Sequence, residues 1–335
     1  MKAVAFLVFT LSGLVIALTA VGLTKLADRL AEATGLSRVW VGATALAAIT
    51  SLPEFLGAWQ TGHRGLPDLA VGSLVGSNLC NLTLMAITLL YAVRMRPSIG
   101  PASLVWPSAW LSLLMIGLMG LGLLVAPASE LFRASWPVWL LLIVYVGGSY
   151  IMSRGEYSRD GAHPAPGLRQ QFKRTWKLLL EMVGLGLVIA LAMSYLVSSA
   201  ETIATQTGLG ETFVGTLLMA LVTSLPELAA GLAAARMGLL DMAIGNYLGS
   251  NALNMVLLLV ADLAFSGSLL ANVALVNLVT VAAVVVMTFV LMSIRQLLAT
   301  SLGSRWRWAG GLAFGSLGLY IIALALIFSL GARME

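Results

Sequence analysis

Thr50-Ser51-Leu52-Pro53-Glu54 recurs without change as Thr223-Ser224-Leu225-Pro226-Glu227, 173 residues farther along the chain. The same shift, with no gap, lays Val41-Gly42 on Val214-Gly215 and Gly76-Ser77-Asn78 on Gly249-Ser250-Asn251. It also pairs Thr34-Gly35 with Thr207-Gly208, Asp68 with Asp241, Gly72 with Gly245 and Asn81 with Asn254. A long internal repeat of this kind is read before any other feature, because it sets the architecture.

The repeat lies in a very apolar background. Of 335 residues, 59% are hydrophobic and 10% charged, with a mean hydropathy of +0.97. Soluble domains carry about 25% charged residues, so this composition indicates a polytopic membrane protein. Apolar runs of the roughly 20 residues that a spanning helix needs occur ten times. They fall at roughly 3–24, 38–61, 67–92, 103–126, 134–153, 176–198, 211–235, 240–263, 269–294 and 306–330. Unbroken apolarity of that length excludes transmembrane strands, which alternate over about ten residues. The first run exceeds the apolar core of a secretory signal.

Basic residues orient the ten spans. Lys2, Arg64, Arg133 and Arg333 fall on one side; the other fifteen of the 19 Lys and Arg, from Lys25 to Arg307, fall on the opposite one. The richer side is expected to be cytoplasmic, leaving both termini outside and the 154–175 loop inside, in a plasma (inner) membrane. That loop, with Gly161-Ala162-His163-Pro164-Ala165-Pro166-Gly167, reads as a linker. Five spans, an odd number, separate the two repeat copies, so the second enters the membrane from the opposite side. The expected fold is all-α, ten transmembrane helices as two inverted five-helix repeats, 1–153 and 176–335, with substrate held where they meet near the midplane.

The net charge of +5 is too small for a nucleic-acid surface, so the expected partners are the lipid bilayer and small cations, with no oligomer required. Cys80, the single cysteine, can form neither an internal disulfide nor a thiolate metal centre. No cofactor is called for by any motif. An intramembrane protease would need a Ser/His pair or two central Asp within the spans, and His63 and His163 lie in or near loops.

Glu54 and Glu227 each lie about two thirds of the way through a span, where an ionised side chain costs on the order of 2.5–3.5 kcal/mol. Such groups persist where they hold something. Pro53 and Pro226 each remove an intrahelical hydrogen bond and release the carbonyls of Ile49 and Val222. Thr50, Ser51, Thr223 and Ser224 add hydroxyl oxygens within a turn of the glutamates. Asn78 and Asn81, and likewise Asn251 and Asn254, are three residues apart and share a helix face. Oxygen donors without thiolate or imidazole suit a hard cation such as Na⁺ or Ca²⁺. Gly72 and Gly76, like Gly245 and Gly249, read as small-residue faces for close helix packing. Trp40, Trp59, Trp136 and Trp306 read as interfacial anchors. Asp68, Asp241, Glu181, Glu201, Glu211 and Asp262 are expected on solvated surface near span ends.

The paired TSLPE and GSN segments resemble the two α-repeats of the cation/Ca²⁺ antiporter superfamily, the sodium/calcium exchangers, over roughly 41–90 and 214–263. The resemblance implies exchange of cytoplasmic Ca²⁺ for external Na⁺ by alternating access, with the first and sixth spans sliding across the core. It implies Ca²⁺ ligation by Glu54, Glu227 and the carbonyls of Thr50 and Thr223. It further implies Na⁺ on Ser51, Ser224, Ser77, Ser250 and the carbonyls of Ala47 and Ala220, with Asn81 central. The chain departs from the family pattern at Ile49 and Val222, where glycine is usual, and at Asn254, where many relatives carry Asp. Two carboxylates balance one Ca²⁺, two Na⁺ or two H⁺, so a proton-coupled antiporter of Ca²⁺ or another hard divalent cation is the alternative reading.

Overall fold

The computed structural model describes residues 2–95, 102–125, 130–156, 168–207, 223–298, 311, 314–322 and 325. Ten helical segments organise these residues: α1 (Lys2–Thr34), α2 (Arg38–Thr50), α3 (Leu52–His63), α4 (Pro67–Met95), α5 (Trp106–Val125), α6 (Trp136–Glu156), α7 (Leu168–Thr207), α8 (Leu225–Arg236), α9 (Leu240–Ala264) and α10 (Asn277–Leu298). Among the described residues, seven helices are long and apolar enough to cross a membrane, or eight with α2 and α3 counted as one bent span. The expected span at 211–235 is described only from residue 223, and that at 306–330 only in part.

Helix boundaries differ from the apolar runs for simple reasons. Helix α7 runs over 40 residues, about 60 Å at 1.5 Å each, which exceeds a bilayer core of about 30 Å. It therefore takes up 168–175, which the sequence reading assigns to the linker. Helix α10 starts at Asn277 rather than near 269, because Leu270–Asn272 forms a short 3-10 turn first. Helices α2 and α3 meet at an angle of 51° around Ser51, which has φ −87° and ψ 15°. Pro53 sits in the first turn of α3, where its missing N–H costs nothing. Pro226 does the same in α8, behind Ser224 at φ −88° and ψ 9°. The 173-residue shift maps both ends of α3 onto those of α8, and the start of α4 onto that of α9.

Helix α9 is the centre of the bundle and is buried along nearly its whole length. It packs on α4, on α3 and on the π-helical stretch Gly42–Leu46 inside α2. That crossing is close because glycine lines it: a Cβ on Gly245 or Gly249 would run into the backbone of Val39 or Ala43, and one on Gly42 into Met242 O. In α4, the described residue nearest a Cβ on Gly72 is Asn277, whose Oδ1 would lie 3.5 Å away; the positions equivalent to Val39 and Ala43, Thr212 and Thr216, lie outside the described residues. Helices α1 and α7 pack against each other, Gly13 facing Leu196 and Gly22 facing Leu185, so they run antiparallel.

Two acidic residues expected on solvated surface are not there. Asp262 is fully buried and accepts the backbone N–H groups of Ser135 (2.7 Å) and Leu269 (2.8 Å), closing the end of α9 onto the hairpin Glu130–Leu131/Ala134–Ser135. Asp241 pairs at 2.6 Å with Arg295, whose side chain is wholly buried. Glu181 and Asp68 keep exposed positions, the latter accepting Ala274 N–H at 2.7 Å. Glu211 is outside the described residues. Each of these links joins loop ends that the basic-residue count places on the same side. Asp262→Leu removes two charge-assisted bonds and leaves two buried N–H groups without an acceptor. It is expected to cost about 3 kcal/mol or more, read as a lower unfolding midpoint in detergent without a change in ion selectivity.

Candidate cation site

The site forms where two helix breaks meet two helix middles. Helices α2 and α3 supply Thr50, Ser51 and Glu54, and α8 with its cap supplies Ser224 and Glu227. Helix α4 supplies Ser77, Asn78 and Asn81, and α9 supplies Ser250, Asn251 and Asn254. All of these side chains are buried, Glu54 at 7% exposure being the most open and Glu227 at 0% among the least. Thr223 is half-buried beside Ser224. Ala220 lies outside the described residues, as do Trp306 and His163. Exposed His63 ends α3, away from the cluster.

Four asparagines tie the two helix middles together by reciprocal bonds. Asn78 Nδ2 donates to Asn251 O at 3.1 Å, and Asn251 Nδ2 donates to Asn78 O at 3.2 Å. Asn81 Nδ2 donates to Asn251 Oδ1 at 3.1 Å, and Asn254 Nδ2 to Asn78 Oδ1 at 2.9 Å. Every bond has its counterpart under the 173-residue shift, which is what a local two-fold between α4 and α9 produces. Across the break, Ser51 Oγ lies 3.3 Å from Glu227 Oε1 and 3.1 Å from Ser250 Oγ. Its single proton serves one of them at a time. Ala47 O accepts both the Ser51 N–H at 3.0 Å and the Thr50 hydroxyl at 3.2 Å.

Oxygen atoms are left over after these bonds are made. Both carboxylate oxygens of Glu54, Oε2 of Glu227, and Oδ1 of Asn81 and of Asn254 are buried without a hydrogen-bond partner. Nor does any described Lys or Arg pair with either glutamate. Each unsatisfied buried acceptor costs about 1–3 kcal/mol, more when charged, and two like charges in one buried cluster repel each other. Two groups able to donate, Ser224 Oγ and Asn246 Nδ2, are also buried there without a partner, but the unpaired acceptors outnumber them, and an excess of carboxylate and amide oxygens is what a desolvated hard cation completes.

Asn246 belongs to the same cluster and escapes the repeat comparison, because the 173-residue shift maps it onto Ser73. Its Oδ1 lies 3.4 Å from Thr50 Oγ1. The available signal is helical spacing: Asn246, Ser250 and Asn254 fall at i, i+4 and i+8, a polar stripe along one face of α9. Tyr247 is a second omission. Its hydroxyl lies 2.9 Å from the Thr88 hydroxyl, and its ring fills the space beside Gly231, one turn after Glu227.

Helical spans around a buried, donor-poor oxygen cluster define a polytopic membrane transporter of small cations. The chain belongs to the sodium/calcium exchanger protein family, which matches residues 4–153 and 177–329. It is 31% identical over 245 residues to a protein of Alkalimonas amylolytica named putative antiporter CaxA, covering 70% of this chain and 72% of that one. It is 27% identical over 307 residues to the uncharacterized membrane protein MJ0091 of Methanocaldococcus jannaschii, covering 89% of each. A solved structure of the sodium-calcium exchanger NCX_Mj, soaked in 10 mM Na⁺ and zero Ca²⁺, has the same fold. The TM-score is 0.74 at 24% identity, covering 97% of this chain and 99% of that one.

Proposed function

We propose that this protein exchanges Ca²⁺ for Na⁺ across a plasma (inner) membrane by alternating access. Ten spans act as two inverted repeats, 1–153 and 176–335, joined by a cytoplasmic linker at 154–175, with both termini outside. Ca²⁺ is held by the carboxylates of Glu54 and Glu227 and the carbonyls of Thr50 and Thr223. Na⁺ uses Ser51, Ser224, Ser77, Ser250 and the carbonyls of Ala47 and Ala220, with Asn81 and Asn254 at the centre. Asn78, Asn251, Pro53 and Pro226 are supporting: the asparagines join the helix middles and the prolines keep the helices broken. The observation that carries this reading is the set of carboxylate and amide oxygens left without donors around Glu54 and Glu227. Relatives named as antiporters and exchangers support it.

Proton coupling is the second reading, favoured by Asn254: with an amide there, the described site has two carboxylates, and two protons neutralise both. The two readings separate in proteoliposomes loaded with Na⁺, with an imposed pH gradient, or with neither. Uptake of radiolabelled Ca²⁺ is expected with the Na⁺ gradient. Uptake driven only by the pH gradient assigns the glutamates to H⁺, and no uptake under either overturns both.

Asn254→Asp tests the count of charges. The new carboxylate replaces the donor to Asn78 Oδ1, so it faces an acceptor and costs about 1–3 kcal/mol of stability in ion-free protein. In return it offers one more negative charge to the cations. The expected result is retained Ca²⁺ flux with a steeper dependence on Na⁺ concentration; an unchanged dependence contradicts the role given to Asn254.

A further inference from the structure

A groove of about 400 Å³ runs between α1 and α8. Its walls are apolar, with Gly13, Ala17 and Val21 on α1 and Leu228 and Leu232 on α8. Lys25 and Arg236 line the same groove, each at the end of its stripe, and both are exposed. Gly13 to Lys25 is twelve residues, about 18 Å of helix, close to half of a bilayer core of about 30 Å. The groove therefore runs for about the length of one leaflet and has two cations among its lining residues.

The state of those cations matters. Asp28 and Glu32, the carboxylates that follow Lys25 on α1, are engaged by Arg38 at 2.6 Å and 3.5 Å. No described carboxylate pairs with Lys25 or Arg236. We propose that the α1/α8 groove binds one anionic phospholipid, its acyl chain along Gly13, Ala17 and Val21 and its phosphate between Lys25 and Arg236. The basic-residue count places this end at the cytoplasmic leaflet, where anionic lipids attract basic side chains. A lipid seated there bridges α1 to α8, which also carries Glu227, so occupancy links the bilayer's charge to the packing of α1. The site is independent of which cation the protein exchanges.

The test counts bound lipid and involves no ion flux. Protein in mild detergent is titrated with dioleoyl phosphatidylglycerol or dioleoyl phosphatidylcholine, and retained molecules are resolved by native mass spectrometry. The first phosphatidylglycerol is expected to bind about ten-fold or more tightly than phosphatidylcholine, and Lys25→Ala and Arg236→Ala each to weaken it about five-fold. Ala17→Phe fills the groove with both cations intact and is expected to abolish that first binding step. Leu18→Phe, on the outward face of α1, is expected to leave it unchanged. Glycerol 3-phosphate carries the charge without the chain and is expected not to compete. Equal binding of the two lipids, wild-type retention by the charge variants, or displacement by glycerol 3-phosphate overturns the proposal. Should Ala17→Phe fail to fold, the two charge variants still decide it.

Discussion

Glu54→Gln is expected to lower Ca²⁺ uptake by about a hundred-fold or more, and Glu227→Gln to do the same, with the fold intact. The size follows from the burial of these groups: deleting one partner of a buried, desolvated charge interaction costs about 3–5 kcal/mol, equivalent to factors of about 10² to 10³ in affinity. Glutamine keeps the shape and volume of glutamate, so the packing around it survives. In the absence of cations the sign reverses. Both carboxylate oxygens of Glu54 lack partners in a buried cluster that also holds Glu227, so a neutral amide there breaks no side-chain bond and removes one of two like charges. Ion-free Glu54→Gln is therefore expected to unfold at the wild-type temperature or above it, while losing the stabilisation that added Ca²⁺ confers on the wild type. Radiolabelled Ca²⁺ uptake together with thermal unfolding at zero and saturating Ca²⁺ reads both effects. Wild-type flux in either variant would remove Glu54 and Glu227 from the site.

Gly249→Val is expected to be the most damaging substitution away from the charged groups. The carbonyl oxygen, Cα and carbonyl carbon of Ala43 occupy the space a Cβ would need. These are backbone atoms inside a helix, so no rotamer change relieves the clash and α2 must move away from α9. Overpacking of this kind costs about 3 kcal/mol, and the shift also displaces Ser250 and Thr50, which sit next to the crossing. Loss of stability in ion-free protein, measured by thermal unfolding, is expected to accompany loss of transport. A variant with wild-type stability would show that the close crossing is not a requirement of the fold.

Much of the molecule is legible before folding. Apolar runs mark where α4, α5 and α9 lie to within a few residues, because hydrophobicity and length govern a helix in lipid. Pro53 and Pro226 mark the breaks before α3 and α8, because a missing N–H acts locally. Charge is less legible. Asp262 and Asp241 lie near helix ends, where exposure is the ordinary expectation. Asp262 is instead buried on two backbone N–H groups, from Ser135 and Leu269, and Asp241, only partly buried, pairs with Arg295, 54 residues away. Asn246 shows the converse: repeat comparison passes over it because its counterpart is Ser73, yet the fold places it against Thr50.

Composition, helix length and repeat identity are properties of the chain read in one dimension, and they suffice for the membrane class, the helical architecture and most of the residue types gathered around Glu54 and Glu227. Which polar atoms find partners depends on the packing of the folded helices. Asn78 and Asn251 bond each other across α4 and α9, while both Glu54 oxygens, Glu227 Oε2 and the Oδ1 atoms of Asn81 and Asn254 remain without donors. Hydrogen bonding at 3 Å depends on how helices cross and rotate, and glycines at 245 and 249 set that crossing by admitting the backbone of α2.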